Sequence, residues 1–180
     1  MPRTVLDLMN NDDLRKVQAE WKMASGLVPG EDNEGLISRL ASSPARLADY
    51  DDSNWDSCHD LTKFLSGGFT FVWYRIKVTL PEYLGTHSLK GMRCLIETCV
   101  DDYGEIWVDG ECDRDRGTIQ GYNVPQRIKI EEESQPGKTH SIAILAANGP
   151  LACPGGGVFV RYANLCFEWG GRPIDEKYTR

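Results

Sequence analysis

Tryptophan, arginine and glutamate side chains recur at alternate positions of two β-rich stretches, a combination that suits recognition of a small polar molecule. Trp73 and Arg75 are two residues apart, as are Glu105 and Trp107, and Glu97 lies in the stretch between the pairs. Alternate residues of a strand face the same side of a sheet. We therefore expect these five side chains to share one face, where indole rings offer flat apolar surfaces and charged groups offer directional hydrogen bonds. The alternative is a face with cross-strand ion pairs, its tryptophans covered by the N-terminal segment.

The same side chains predict roles in acid–base chemistry. A carboxylic acid can move a proton while a guanidinium stabilises the charge that develops on a bound substrate. Glu97 or Glu105 would be the acid or base, and Arg75 or Arg161 the charge stabiliser. These roles need no cofactor, and we predict none.

Two loops add candidate ligand-binding residues. Tyr122 and Asn123 lie between Gly121 and Pro125, where a phenol and an amide could line the mouth of a pocket. Arg161 follows the glycine run 155–157, which would let a ligand approach the backbone closely. The alternative in each case is a loop shaped by its own asparagine, proline and glycine residues.

An acidic region around residues 101–115 is the best candidate for a metal site. Its carboxylates suit a structural calcium ion, although their spacing is not that of an EF-hand loop. They belong to Asp101, Asp102, Asp109, Asp113 and Asp115. Solvated turn residues are the alternative, and we predict no metal. The three histidines are too scattered for a recognisable zinc site.

The elements that must position these residues are short strands separated by glycine- and proline-rich turns, a pattern typical of a β-sandwich. Alternation predicts a strand at 69–80, ended by Pro81. Strands at 94–100 and 105–108 are predicted to form a hairpin around the turn at 101–104. Further strands are predicted at 127–131, 141–147 and 158–167.

The first 50 residues carry a weaker pattern. Apolar residues spaced as in a helix, with Asp12 and Asp13 at the start, predict a short helix at 12–19. Residues 26–52 are predicted to form a long connection with one helical turn near 36–40. We therefore divide the chain into an N-terminal helix and wrapping segment (1–50), a β-sandwich (51–169) and a polar tail (170–180).

Composition limits the partners. The chain has 180 residues and a net charge of −7, with no dense run of lysine or arginine, so nucleic acid is not an expected partner. No apolar run is long enough to span a membrane, and no signal-peptide core is present, which predicts a cytoplasmic protein with six reduced cysteines. A small molecule is the expected partner, and exposed sheet edges leave a homodimer open.

Residues 51–167 resemble the galactose-binding-like jelly-roll domain at the front of glycoside hydrolase family 2 enzymes. The matching segments are DDSNW (51–55), FVWYRIKVTLP (71–81), VDDYGEIWVDG (100–110) and the glycine-rich turn before a V-R-Y strand (148–162). The chain is also similar to the small β-domain that precedes some SMP-30/gluconolactonase-type propellers. The resemblance implies an all-β jelly-roll sandwich with a sugar-binding character, and it implies no catalytic residue.

Two functional hypotheses follow. The first is a non-catalytic carbohydrate-binding module that uses Trp73 and Trp107 as a platform. The second is a stand-alone, cofactor-independent enzyme of the cyclase, isomerase or lyase type, in which the same tryptophans form the apolar walls of a pocket. From the sequence we favour the enzyme.

Overall fold

The computed structural model describes residues 3–30, 43–63, 70–101, 103–121, 124–148 and 157–169. The predicted all-β sandwich with a short N-terminal helical segment is confirmed. The elements are β1 (Thr4–Asp7), α1 (Asn11–Lys16), β2 (Lys22–Ser25), a 3-10 turn (Pro44–Arg46), β3 (Asp56–Ser57), β4 (Thr70–Thr79), β5 (Tyr83–Leu84), β6 (His87–Ser88), β7 (Arg93–Asp101), β8 (Tyr103–Val108), β9 (Thr118–Gln120), β10 (Pro125–Glu131), β11 (Thr139–Asn148) and β12 (Phe159–Glu168).

The strands form two antiparallel sheets. One has four strands in the order β1-β12-β7-β10, and the other has six in the order β3-β2-β4-β11-β8-β9. Strands β5 and β6 pair with each other apart from both sheets. Strands β4, β7, β10, β11 and β12 lie where alternation or apolar runs predict them, with ends shifted by a few residues. The short strands β5, β6 and β9 lie in stretches too brief to show a period.

The core lies between the sheets and follows the predicted alternation. Val72, Tyr74, Ile76 and Val78 of β4 all point into it and are almost fully buried. The intervening residues of β4 therefore lie on the outer face of the six-stranded sheet, the face on which the candidate site was predicted.

The N-terminal residues add strands to both sheets. Strand β1 pairs with β12 and strand β2 pairs with β4, so residues 4–25 do more than wrap the sandwich. Helix α1 is shorter than predicted: Asn10 caps its start, and Gln18 has a φ of 53°, which ends it early. Among the described residues, no helix is both long and apolar enough to cross a membrane. The predicted helical turn at 36–40 and the tail at 170–180 lie outside the described residues.

The predicted hairpin between β7 and β8 is wrong. Strand β7 pairs with β10 and β12 in the four-stranded sheet, whereas β8 pairs with β9 and β11 in the six-stranded sheet. The chain leaves the four-stranded sheet after Asp101 and enters the six-stranded sheet at Tyr103. A Cβ atom on Gly104 would lie only 3.0 Å from Cβ of Val100, so a glycine permits this close crossing.

The described cysteines are free thiols, in agreement with the prediction. They are Cys58, Cys94, Cys99, Cys112 and Cys166. Burial raises the pKa of Cys166 to about 12, which keeps this thiol protonated and unreactive at neutral pH. Cys153 lies outside the described residues.

Candidate ligand-binding site

The outer face of the six-stranded sheet brings four of the predicted residues together. Strand register aligns Trp73 with Leu145 and Leu145 with Glu105, so the three form one row across the sheet. The adjacent row contains Arg75, Ala143 and Trp107. Two rows of one face thus hold both predicted tryptophans, one glutamate and one arginine.

Residues 43–55 cover one half of this face. The hydroxyl of Ser43 caps the 3-10 turn by accepting a hydrogen bond from the amide of Ala45, and Pro44 occupies the first position of that turn. Farther along, the Asp51 carboxylate accepts a 3.0 Å hydrogen bond from the amide of Ser53, which forms a second turn. Two local turns therefore fold this segment back over the sheet.

Trp73 lies beneath this cover and is 1% exposed. Its indole Nε1 donates a 2.9 Å hydrogen bond to the carbonyl oxygen of Leu27, and its ring belongs to an apolar cluster with Ala45 and Trp55. Because the ring is enclosed, it offers no stacking surface to a ligand. The predicted alternative, a tryptophan covered by the N-terminal segment, describes Trp73.

Arg75 anchors the covering segment. Its Nε donates a 2.8 Å hydrogen bond to the Asp52 carboxylate, and its Nη1 donates to the carbonyl oxygens of Ala45 and of Leu47, the latter at 3.0 Å. The guanidinium carbon also lies 5.4 Å from the ring centre of Tyr50. Arg75 is 1% exposed, so its guanidinium is closed to solvent and serves the fold.

The other half of the face is less covered and centres on Glu105 and Trp107. The Glu105 carboxylate accepts hydrogen bonds from the Tyr103 hydroxyl at 2.8 Å, from Nε1 of Trp107 at 3.1 Å and from Arg114 at 3.0 Å. Trp107 is partly exposed, and the Arg114 side chain is 62% exposed. Burial and the hydrogen bond to Glu105 raise the pKa of Tyr103 to about 12, so this phenol remains a donor at neutral pH.

Two guanidinium groups lie over the Trp107 ring. The guanidinium carbon of Arg46 lies 5.3 Å from the ring centre, and that of Arg114 lies 5.2 Å from it. These are cation–π distances. Arg46 also donates a 3.2 Å hydrogen bond to the carbonyl oxygen of Gly110, which ties the start of the covering segment to the turn after β8. We call the set Arg46, Tyr103, Glu105, Trp107 and Arg114 the Trp107 patch.

Glu97 lies on the opposite side of the sandwich, so the expectation that all five side chains share one face is wrong for this residue. The error follows from the hairpin, because β7 belongs to the four-stranded sheet. Glu97 is 2% exposed and pairs with Arg3 and, at 2.8 Å, with Arg127. Arg127 in turn pairs with Glu168 at 2.8 Å. This arrangement is a buried ion-pair network on the outer face of the four-stranded sheet.

Arg161 also belongs to the four-stranded sheet. It is the extra residue of a β-bulge in β12, between Val160 and Tyr162. Its guanidinium carbon lies 4.8 Å from the Phe159 ring centre, and its Nη2 lies 4.0 Å from the Asp101 carboxylate. Arg161 therefore does not reach the Trp107 patch.

The remaining predicted residues add little to the site. Tyr122 and Asn123 lie outside the described residues, as do Asp102 and the first two glycines of the run at 155–157. The Asp109 carboxylate is occupied by Nδ1 of His140 at 2.6 Å and by the amide of Ser141 at 2.8 Å. Within the described ranges, no group of three or more histidine, cysteine, aspartate or glutamate side chains is placed to hold a metal ion.

Sequence reasoning missed three members of the Trp107 patch. Tyr103 shares the alternation of Glu105 and Trp107, so the period of β8 was sufficient to find it. Arg114 was visible only as a base within an acidic stretch. Arg46 carries no local signal, because its contact with Trp107 spans 61 positions of the chain.

The fold has neighbours among solved structures. A calcium-binding mutant of Bacteroides uniformis β-glucuronidase 2 matches 92% of this chain with 17% identity and a TM-score of 0.59. A β-glucuronidase from glycoside hydrolase family 2 matches 92% with 18% identity and a TM-score of 0.56. A Faecalibacterium prausnitzii β-glucuronidase matches 93% with 14% identity and a TM-score of 0.57.

These neighbours are much larger proteins. The chain covers 18% of the first two and 32% of the third. No protein-family model and no curated protein matches the chain. At these identities the likeness concerns the fold alone. At that level, the resemblance to the jelly-roll sandwich of glycoside hydrolase family 2 enzymes is confirmed.

Proposed function

We propose that this domain is a non-catalytic carbohydrate-binding module whose binding surface is the Trp107 patch. The observation that carries the proposal is a partly exposed indole ring bordered by a carboxylate and an exposed guanidinium. An aromatic ring can pack against the apolar face of a sugar while polar groups at its edge hydrogen-bond the hydroxyls. The fold neighbours, which are enzymes that act on glucuronides by name, support a carbohydrate ligand.

The hydrogen bonds within the patch leave capacity for a ligand. Among the described residues, Oε1 of Glu105 accepts hydrogen bonds from Tyr103 and Arg114, whereas Oε2 accepts one only from Nε1 of Trp107. A carboxylate oxygen can accept two hydrogen bonds, so Oε2 can take one more donor. Arg114 uses one nitrogen on Glu105 and has others to donate. The patch thus provides one acceptor and several donors beside an apolar ring.

The enzyme hypothesis has less support. A cyclase, isomerase or lyase needs its acid and its charge stabiliser at one site. Glu97 and Arg161 belong to one sheet and Glu105 and Arg75 to the other, and Arg75 is closed to solvent. The binding module is therefore the better proposal. The cytoplasmic location and a homodimer stay predictions from the sequence.

Replacement of Trp107 tests the proposal. We expect the wild-type domain to be retarded in native gels that contain soluble polysaccharides, and Trp107→Ala to weaken binding by at least about tenfold, as expected for a central aromatic contact. Trp169→Ala is the matched control, because Trp169 is 46% exposed and follows β12 of the other sheet. Binding by Trp107→Ala that equals wild type, or no retardation of wild type by any polysaccharide, would refute the proposed function.

A further inference from the structure

Arg46 differs from every other arginine in the described part of the chain. Each of the others has a carboxylate oxygen within 4.0 Å of a guanidinium nitrogen. Arg46 has none among the described residues: it is partly buried and contacts the Trp107 ring and the carbonyl oxygen of Gly110. A half-buried cation without a counter-ion is costly unless something else neutralises it.

The charged groups in direct contact with the Trp107 side chain are two guanidinium groups and one carboxylate. Two guanidinium groups lie within 5.3 Å of the ring centre, and Glu105 is the one carboxylate that pairs with either of them among the described residues. Asp113, although adjacent in sequence to Arg114, pairs with Arg116 and accepts the amides of Asp115 and Arg116. Arg46 is therefore the guanidinium group of this patch that no described carboxylate pairs with.

We infer that the Trp107 patch selects acidic sugars, whose carboxylate or sulfate group pairs with Arg46 while the sugar ring packs on Trp107. This inference rests on the proposed function and specifies its ligand class. Guanidinium groups match the planar geometry of a carboxylate and also pair with the oxygens of a sulfate. Arg46 is held by Gly110 and by the indole ring, so little side-chain freedom is lost when the anion binds.

The Tyr103–Glu105–Arg114 hydrogen bonds give the two arginines different tasks. Glu105 already neutralises Arg114, which leaves Arg114 suited to the hydroxyls of a sugar ring. Arg46 has its charge available for the anionic group. An acidic sugar would therefore pair with both arginines, whereas a neutral sugar would leave the Arg46 charge without an anionic partner.

The test compares acidic polymers with matched neutral polymers. Polygalacturonate is paired with the same polymer after reduction of its carboxyl groups, and dextran sulfate is paired with dextran, so the two arms distinguish a carboxylate from a sulfate. Affinities come from titration calorimetry. We expect wild type to bind at least one acidic polymer about tenfold more tightly than its neutral counterpart, the effect of one charge-assisted hydrogen bond.

Variants of Arg46 decide the assignment. Arg46→Gln should lower the acidic-to-neutral affinity ratio about tenfold, and Arg46→Lys should retain part of it, because the charge remains without the planar fork. Arg15→Gln removes an equal charge from exposed helix α1 and should leave the ratio unchanged. Thermal unfolding of each variant shows whether it is folded. If Arg46→Gln does not fold, the test depends on Arg46→Lys, which should have a lower acidic-to-neutral affinity ratio than wild type.

The outcomes separate this inference from the proposed function. If neutral polymers bind as tightly as acidic ones, or if Arg46→Gln or a folded Arg46→Lys keeps the wild-type ratio, the acidic-sugar inference is wrong while a Trp107-dependent carbohydrate site still stands. If no polymer of either kind binds, both proposals fail. An acidic preference that Arg15→Gln reduces as much as Arg46→Gln would reflect overall charge and would also overturn the inference.

Discussion

Two tryptophans, Trp73 and Trp107, lie on the same face of the same sheet and have different surroundings. Trp73 and Arg75 are each 1% exposed beneath residues 43–55, and their polar atoms are bound by backbone carbonyls and Asp52. Trp107 is partly exposed, and its partner Arg114 has a side chain 62% exposed. Residue type and strand parity are the same for the two tryptophans, so neither distinguishes a structural tryptophan from an accessible one. The covering segment makes the difference.

The clearest way to break this comparison is to truncate both tryptophans. Trp73→Ala should destabilise the domain by about 3–5 kcal/mol, because it leaves a cavity under the covering segment and removes the hydrogen bond to the carbonyl oxygen of Leu27. Trp107→Ala should cost about 1 kcal/mol, since its ring is partly exposed. Urea unfolding curves of the two variants give the difference, and equal losses would mean that the two halves of the face are packed alike.

The arginines give the second test. Arg75→Met should cost about 3 kcal/mol, because Asp52 and two backbone carbonyls lose their buried partner. Arg114→Met removes an exposed ion pair and should cost less than about 1 kcal/mol. The same unfolding assay measures both. If Arg75→Met were as stable as wild type, Arg75 would not anchor the covering segment and could be reconsidered as a ligand-binding residue.

The sequence was sufficient for the sandwich and for the face on which the site lies. Alternation in β4 and β8 placed Trp73, Arg75, Glu105 and Trp107 on one side of a sheet, and the structure agrees. Alternation reports only the side of a strand, however, and not the strand's neighbours. Glu97 was therefore assigned to the wrong sheet, since a turn that joins two strands of one sheet reads like a turn that crosses between two sheets.

Local sequence patterns also could not predict which side chains on this face are exposed. It depends on where residues 43–55 fold, and that segment is fixed by Arg75 and by turns with little periodicity. The participation of Arg46 follows from the same long-range packing. A pattern within one strand cannot report a contact made by a segment about 60 positions away.

The smallest expected effect compares two tyrosines on opposite faces of the six-stranded sheet. Tyr103 in the Trp107 patch donates a hydrogen bond to Glu105, so Tyr103→Phe should lower the free energy of unfolding by about 1 kcal/mol at pH 7. Tyr74 points into the core, where its buried hydroxyl has no hydrogen-bond partner among the described residues, so Tyr74→Phe should be neutral or slightly stabilising. Unfolding at pH 7 decides between them, and a larger loss for Tyr74→Phe would contradict the assignment of faces.

The dependence of the free energy of unfolding on pH above 10 gives a further comparison of the two tyrosines. The folded pKa of Tyr103, about 12, lies above its ordinary value of 10.0, because burial and Glu105 oppose the phenolate. Folding thus favours the protonated phenol, and this contribution is complete below pH 10 and is lost as the pH rises toward 12. Burial raises the pKa of Tyr74 in the same direction, so each phenylalanine variant should flatten the fall in stability between pH 10 and pH 12. Of the two variants, only Tyr103→Phe should also lose stability at pH 7. The reason is that Tyr103 donates a hydrogen bond to Glu105, whereas the Tyr74 hydroxyl has no partner among the described residues.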